Sequence, residues 1–224
     1  MAKVKICGLQ RRLDVEAANQ AGPDYIGFVF AESRRRVTLK EAVRLAAYTD
    51  PRIGKVGVFV NAPIDDVVET AKMVPLDVVQ LHGDENQEYI AELHRKLSES
   101  SKIWLKIGMP ERETGSFKDG GANLPDRGQD IPDGVDALLL DTMTGKQAGG
   151  TGKTFDWRLA QELCRSHKVI IAGGLNSDNV QEAITLLNPS GVDVSTCVET
   201  DGYKDKVKMA LFVQRVREVR NSDE

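Results

Sequence analysis

The sequence predicts an α/β protein that forms one (β/α)8 barrel, or TIM barrel, over residues 1–224. Eight short, nearly continuous apolar runs recur along the 224-residue chain, and helical patterns separate most of them. Parallel strands covered by helices on their outer face read as such runs. The alternation of strand and helix, together with a length typical of one barrel, indicates this fold class.

The predicted strands come first in each unit. They are residues 3–7, 24–30, 53–60, 77–82, 102–107, 136–141, 168–173 and 191–195. Side chains two residues apart on a strand point to the same side. Asp141 therefore shares a face with Leu139, and His82 shares one with Gln80.

Helical patterns follow most of these strands. They cover residues 13–22, 38–48, 63–73, 85–97, 156–166, 176–187 and 204–219. Gly22 suits a helix C-cap, while Thr38 and Glu41 form the sequence pattern of a capping box. Residues 108–135 depart from the pattern because they are polar and rich in Gly, Pro and Asp. Helix 5 is expected to be short or replaced there by an irregular loop, more a mobile connection than a functional lid.

Composition restricts the class of protein. Hydrophobic residues make up 41% and charged residues 29%, an ordinary balance for a globular protein in water. No run approaches the ~20 apolar residues that cross a bilayer, and charges interrupt the N-terminal segment, so no signal peptide is expected. Three cysteines indicate a reducing compartment, hence the cytoplasm. A net charge of −4 argues against a nucleic-acid partner. We expect a monomer or homodimer that binds a small phosphorylated molecule.

Residues 147–154, QAGGTGKT, have the appearance of a phosphate-binding P-loop. The segment ends in Gly-Lys-Thr, but Gln147 stands where that motif needs its first glycine. A P-loop also leads from a strand directly into a helix, whereas seven residues separate Asp141 from Gly149, where the glycine pair begins. The sequence therefore argues against a nucleotide hydrolase.

Two loops suit an anion. In barrels of this kind, functional residues lie at the C-terminal ends of the strands, and the loops after strands 7 and 8 often hold a phosphate. Gly173 and Gly174 precede a helix expected to begin near Asn176, and Ser195 and Thr196 supply hydroxyls after strand 8. Glycines let the backbone approach an anion, and a helix N-terminus attracts it. The alternative is that Gly-Gly only makes a tight turn.

Two strand ends carry groups that could move protons. Cys7 could be a small buried hydrophobe, but Lys5 two residues earlier would favour its thiolate. Asp141 could simply bond the following loop, or its hydrophobic surroundings could raise its pKa and make it an acid. Such a pair suits an isomerisation. His82 is expected to orient other groups, and the three histidines lack metal-ligand spacing, so neither a metal nor a cofactor is expected.

These motifs together resemble the phosphoribosylanthranilate isomerase family of tryptophan biosynthesis. They are KICGL (5–9), GFVF (27–30), SxR (33–35), VGVFVN (56–61), VQLHGDE (79–85), LLLD (138–141), GGTGKTFDW (149–157), AGGLN (172–176) and GVDVS..VE....KD (191–205). The likeness runs almost end to end, and KICG, QLHGDE and GGTGKTFDW are its most specific parts. Residues 108–135 are longer and more irregular than the family pattern.

The resemblance implies an Amadori rearrangement of N-(5-phosphoribosyl)anthranilate to 1-(2-carboxyphenylamino)-1-deoxyribulose 5-phosphate. It implies that Asp141 is the general acid and that Cys7, as thiolate, is the general base. Arg35 would pair with the anthranilate carboxylate, which a planar guanidinium can bind through two hydrogen bonds. Arg34 and Arg36 flank it, so the register could shift by one. His82 and the two anion loops would bind substrate.

The resemblance also changes the interpretation of the glycine-rich segment. It implies a flexible lid that closes on the substrate and excludes water. The lid residues would be Gly149, Gly150, Thr151, Gly152 and Lys153. Cys197 departs from the family, which commonly has glycine there, and could narrow the phosphate loop or restrict its backbone.

Two alternatives stay open at this point. One is another phosphosugar barrel enzyme, such as the related histidine-pathway isomerase or a bifunctional form. Those enzymes typically use paired aspartates, whereas strand 1 here offers Cys7. The other is a non-catalytic phosphate-binding protein of the same fold, which the presence of Cys7, Asp141 and Arg35 together argues against.

Overall fold

In the computed structural model of the chain, eight parallel strands form a closed barrel in sequence order, with β8 paired to β1. The structure describes residues 1–111, 131–143 and 154–219. Each predicted strand is present, and each begins within one residue of its predicted start. The strands are β1 Lys3–Cys7, β2 Tyr25–Val29, β3 Gly54–Phe59, β4 Val78–Leu81, β5 Lys102–Pro110, β6 Ala137–Met143, β7 Val169–Ile171 and β8 Gly191–Val194. The predicted fold class is therefore confirmed.

The helices surround this barrel. They are α1 Arg12–Ala21, α2 Leu39–Ala46, α3 Ile64–Met73, α4 Gln87–Lys96, α5 Gln161–Ser166, α6 Val180–Leu187 and α7 Lys206–Glu218. Two predicted boundary signals are confirmed. Gly22 caps α1 in the left-handed region with φ of 69°, and Thr38 and Glu41 form the capping box of α2.

Several boundaries differ from their predictions, and two of the differences have a clear local reason. β5 continues to Pro110 because its last residues still pair with β6. Helix α6 begins at Val180 and not near Asn176, since the Asn176 side chain accepts the N–H groups of Asp178 and Asn179 and forms a turn before the helix. The described residues hold no helix between β5 and β6, and residues 112–130, on which the helix-5 prediction mainly falls, lie outside them.

The barrel interior and the layer between sheet and helices form separate cores. A small apolar cluster fills the interior, consisting of Val56, Val78, Trp104, Ala137, Leu139, Ile170 and Ala172. Tyr25 packs edge-on against Trp104, with ring centroids 5.2 Å apart. The larger core lies outside the sheet, against the helices. Every second side chain along a strand points into the barrel. Polar side chains nearer the C-terminal ends of the strands can therefore point into the barrel above this apolar cluster.

Three aspartates repeat one contact at the beginning of the even-numbered strands. Asp24 precedes β2, Asp77 precedes β4 and Asp136 precedes β6. Each carboxylate accepts the backbone N–H of the second residue of the preceding strand, at 2.7–2.8 Å. These bonds satisfy polar groups at the strand starts and fix the end of the barrel opposite to the strand C-termini.

A short hairpin follows β8. Its strands are β9 Glu199–Thr200 and β10 Tyr203–Lys204, which pair antiparallel. Asp201 and Gly202 have φ of 52° and 83°, the two positive values that a type I′ turn needs. The Arg11 guanidinium lies 3.8 Å from the Tyr203 ring centroid. This contact holds the hairpin against the beginning of α1.

Candidate active site

A cleft opens at the C-terminal ends of the barrel strands. It encloses about 880 Å³ of empty space, part of it open to solvent, which is within the range of small-molecule sites. All eight predicted catalytic and substrate-binding residues line it: Cys7, Arg35, His82, Asp141, Gly173, Gly174, Ser195 and Thr196. The residues expected at the strand ends and the arginine that the resemblance implies thus lie around one cleft.

A buried ion pair lies beneath Cys7. Lys5 faces the same side of β1, and its Nζ lies 2.9 Å from Oδ2 of Asp193 on β8. Burial alone would lower the pKa of Lys5, but its interactions with Asp193 and with Cys7 outweigh this effect, and the net pKa is raised. Lys5 therefore remains a cation beside the thiol.

Burial raises the pKa of the Cys7 thiol, although the charge of Lys5 acts in the opposite direction. Removing the sulfur from water thus outweighs the effect of the one neighbouring cation on this pKa. Space for the sulfur depends on Gly27. A Cβ placed on this glycine would lie 2.8 Å from Cys7 Sγ, closer than non-bonded contact allows.

Asp141 lies near the end of β6. Burial and the charge of Asp193 raise its pKa to about 6, while Lys106 acts in the opposite direction. Of the two alternatives that the sequence leaves open for Asp141, the raised pKa agrees with the acid. Gly173 lies directly against it, since a Cβ there would be 2.9 Å from Asp141 Oδ1. The glycine, with φ of +76°, lets the β7 loop pass close to the carboxyl.

His82 connects Asp141 to the interior of the barrel. Its Nε2 lies 3.6 Å from Asp141 Oδ2, and its Nδ1 lies 3.1 Å from Gln80 Nε2. Burial, with the charges of Lys106 and Lys5, lowers the pKa of His82 to about 3, so the ring is neutral. Because the Gln80 amide donates to Nδ1, the ring proton is on Nε2 and faces Asp141. This arrangement suits the orienting role expected for His82.

The two anion-suited loops meet at the cleft. Gly173 and Gly174 both have positive φ, and a 3-10 turn, Thr196–Val198, begins directly after β8. The Ser195 hydroxyl donates to the Cys7 carbonyl at 3.0 Å and accepts from Lys204 Nζ at 3.4 Å. Cys197 lines the cleft within this turn and has no positive φ. Its backbone therefore does not need the freedom of glycine.

Arg35 is held in a fixed orientation. Its Nε donates to Glu199 Oε1 at 2.7 Å, and its Nη2 donates to Thr196 Oγ1 at 2.7 Å. Its aliphatic portion lies over Gly8, where an added Cβ would collide with Arg35 Cδ. The motif glycine after Cys7 thus provides the space in which the arginine lies.

The structure distinguishes Arg35 from its two neighbours. Arg35 lines the cleft and Arg34 and Arg36 do not. Arg34 is half exposed and donates to Glu199 and to the Gly202 carbonyl. Arg36 is exposed, and its backbone bridges to β2. Of these three arginines, only Arg35, the one that the resemblance implies, therefore lines the cleft.

Four polar residues of the site were not singled out from the sequence. Gln80 and Asp193 line the cleft, and Glu199 and Lys204 support it from behind. Asp193 has a clear signal, because it lies two residues before Ser195 on the same face of β8. The hairpin that carries Glu199 and Lys204 also has a signal in the sequence, because Asp-Gly at 201–202 is typical of a two-residue turn.

The predicted lid, residues 149–153, lies outside the described residues. The end of its motif is described and is firmly packed. Phe155 is fully buried, and the Asp156 side chain accepts the N–H of Arg158 at the beginning of a 3-10 turn before α5. Phe155 also bridges to Glu111 at the end of β5. The chain is thus anchored immediately after the glycine-rich segment.

The fold and the site define a barrel enzyme of the acid–base type that acts on an anionic ligand. A thiol on β1 and a carboxyl of raised pKa on β6 share one cleft with an arginine and two anion-suited loops. The chain belongs to the phosphoribosylanthranilate isomerase family: the family model described as N-(5′-phosphoribosyl)anthranilate (PRA) isomerase matches residues 4–215.

Similar proteins agree with this membership over nearly the whole chain. The N-(5′-phosphoribosyl)anthranilate isomerases of Thermoanaerobacter sp. and Caldanaerobacter subterraneus subsp. tengcongensis are 42% and 45% identical, covering 98% of this chain and 100% of each relative. A crystal structure of monomers derived from the dimeric Thermotoga maritima enzyme superposes with a TM-score of 0.80 at 30% identity, covering 98% of this chain and 100% of that one. A phosphoribosylanthranilate isomerase complexed with reduced 1-(o-carboxyphenylamino)-1-deoxyribulose 5-phosphate gives 0.78 at 30% identity, with the same coverage.

Proposed function

We propose that this protein catalyses the Amadori rearrangement of N-(5-phosphoribosyl)anthranilate to 1-(2-carboxyphenylamino)-1-deoxyribulose 5-phosphate, a step of tryptophan biosynthesis. The observation that carries the proposal is the presence in one cleft of Cys7 and a carboxyl, Asp141, whose pKa is about 6. A carboxyl with this pKa can hold a proton near neutrality and release it to a substrate atom. Arg35 and the loops after β7 and β8 give the cleft separate positions for a carboxylate and a phosphate.

The chemistry assigns one proton transfer to each residue. Asp141 donates its proton to the ribose ring oxygen as the C1–O bond breaks, and the ring opens to a Schiff base. Cys7 as thiolate removes the C2 proton, and the electron pair forms the enolamine, which tautomerises to the aminoketose. Lys5 stabilises the thiolate electrostatically when it forms. The neutral His82 ring lies beside the acid, with Nε2 3.6 Å from Asp141 Oδ2, a distance longer than a direct hydrogen bond.

The test is an assay of the purified protein with phosphoribosylanthranilate, following the loss of substrate fluorescence. We expect turnover in the usual range for enzymes, ~1–10³ s⁻¹. A well-folded protein that leaves the fluorescence unchanged would contradict the proposal. That result would favour the alternative, a non-catalytic phosphate-binding protein. Chromatography of the product distinguishes rearrangement from simple hydrolysis to anthranilate.

Arg35→Ala should raise KM by roughly 10–100-fold while kcat changes much less. The substrate carboxylate is remote from the reacting carbons, so its contact is equally strong in the ground and transition states. Steady-state kinetics over a range of substrate concentrations separates the two constants. Arg34→Ala and Arg36→Ala are the matched controls, and both should have smaller effects. A large rise in KM for Arg36→Ala instead would show that the carboxylate arginine is one residue further on.

We also propose that the enzyme works in the cytoplasm as a monomer or homodimer, on a small phosphorylated substrate. Across the described ranges, no helix is both long and apolar enough to cross a membrane. Cys7, Cys164 and Cys197 are all free thiols, which suits a reducing compartment. The similar Thermotoga maritima structure comes from a dimeric enzyme.

A further inference from the structure

Glu199 is an almost fully buried carboxylate behind the cleft, with its side chain 5% exposed. Its Oε1 accepts hydrogen bonds from Arg35 Nε and from Lys204 Nζ, both at 2.7 Å. Its Oε2 accepts from Arg35 Nη2 at 3.2 Å and from Arg34 Nη2. Burial opposes ionisation, but the bonds from Arg35 and the charge of Lys204 outweigh it and lower the pKa of Glu199 to about 2. The carboxylate is therefore ionised at every pH at which the enzyme would work.

Glu199 determines which part of Arg35 a ligand can reach. The carboxylate occupies the edge of the guanidinium formed by Nε and Nη2. The other Nη2 donor bonds to Thr196 Oγ1. Nη1 has no partner in the described part of the chain, so it is the nitrogen that a ligand carboxylate would meet first.

The same carboxylate supports the predicted phosphate loop. Lys204 Nζ, which is buried, bonds to Glu199 at 2.7 Å and to the Ser195 carbonyl at 2.9 Å. Arg35 makes the corresponding link to Thr196. Both hydroxyl residues of the loop are thus tied to Glu199 through one intervening cation each.

We propose that Glu199 is a positioning residue that couples the two anionic ends of the substrate, an inference that rests on the proposed function. A carboxylate that binds Arg35 at Nη1 orders the guanidinium, and with it Glu199 and the bonds to Thr196 and Lys204. A phosphate then binds to a loop that is already ordered, so its binding is tighter. By thermodynamic reciprocity, a bound phosphate tightens the binding of the carboxylate by the same factor. Glu199 also offsets part of the local positive charge. A ligand with one anionic group is therefore bound weakly, and a ligand with two is preferred.

The test uses two fragments that cannot condense with each other, benzoate for the carboxylate end of the substrate and ribose 5-phosphate for the phosphate end. Calorimetry gives Kd for benzoate alone and with saturating ribose 5-phosphate, and then Kd for ribose 5-phosphate alone and with saturating benzoate. In the wild type we expect each fragment to tighten the other by at least ~5-fold, the lower range of allosteric coupling. In Glu199→Gln the coupling should fall below ~2-fold, and KM for phosphoribosylanthranilate should rise ~10-fold with kcat nearly unchanged.

Asp24→Asn is the matched control. Asp24 pairs with Lys3 and Arg217 at the opposite end of the barrel, so its loss should reduce stability without changing the fragment coupling. Glu199→Asp is the second variant, because it keeps the charge but cannot reach Arg35 and Lys204 together. Should Glu199→Gln fail to fold, coupling in Glu199→Asp decides the question. Wild-type coupling in a folded Glu199 variant overturns the proposal.

The outcome is separable from that of the proposed function. Fragment binding is measured without turnover, so it tests Glu199 even in a preparation that does not rearrange phosphoribosylanthranilate. An inactive wild type contradicts the proposed reaction. An active wild type whose fragments bind independently of each other contradicts only the coupling role of Glu199.

Discussion

Asp141→Asn is expected to lower kcat by at least ~100-fold, the scale of general acid–base catalysis. An amide has the shape of the carboxyl but no acidic proton for the ribose ring oxygen. Wild-type kcat/KM should rise through pH ~6 and then level off. The active form has one proton shared between Asp141 and Cys7, with the proton on the carboxyl and the charge on the thiolate. This form becomes available only when the pair has lost its first proton. This inflection should be absent in the variant. Wild-type turnover in folded Asp141→Asn would remove the residue from the mechanism.

The same substitution should stabilise the folded protein at alkaline pH. The pKa of Asp141 is raised from 3.8 to about 6, so its proton favours the folded state. That stabilisation is fully present below the pKa of the unfolded state and is lost as pH rises through about 6. Above this pH the buried ionised carboxyl destabilises the wild type by up to ~3 kcal/mol, whereas asparagine carries no charge. Thermal melts at pH 5 and pH 8 check this, and a variant less stable than wild type at pH 8 would show that the carboxylate is well solvated.

Cys7→Ala is expected to lower kcat by a comparable factor, at least ~100-fold. No other described side chain of the cleft replaces a base at the end of β1, and the neighbouring Lys5 is held as a cation by Asp193. Fluorescence kinetics on the purified variant measures the effect. Cys164→Ala is the control, since Cys164 lies on α5 outside the cleft. Turnover equal to that of the control would place the base elsewhere.

Much of the fold followed from periodicity. Continuous apolar runs predicted all eight strands, and the local signals at Gly22 and Thr38 predicted helix ends, because each depends on only a few neighbouring residues. The prediction that α6 begins near Asn176 was wrong, because the Asn176 side chain accepts backbone N–H groups and forms a turn there. The length of β5 depended on pairing with β6, which is a property of two distant segments and not of either one.

The site was predictable where it depends on strand ends. Cys7 and Asp141 could be placed because strand C-termini converge, and Arg35 because the resemblance supplied its register. The direction of the Cys7 pKa could not be predicted, since it depends on the depth of burial, to which many distant residues contribute. The role of Glu199 required the hairpin to fold back, which places it against an arginine 164 residues earlier.

The ion pair between Lys5 and Asp193 has a consequence for synthesis of the chain. The two residues are 188 positions apart, so at ~5–20 residues per second the ribosome releases Lys5 roughly 10–40 s before its partner. Burying the ammonium without that partner is strongly unfavourable, ~3–5 kcal/mol when a buried pair is broken. The nascent barrel therefore remains open at the β1 edge until β8 has emerged. A partly made chain carries the Cys7 thiol without the enclosed cleft that directs it to one substrate.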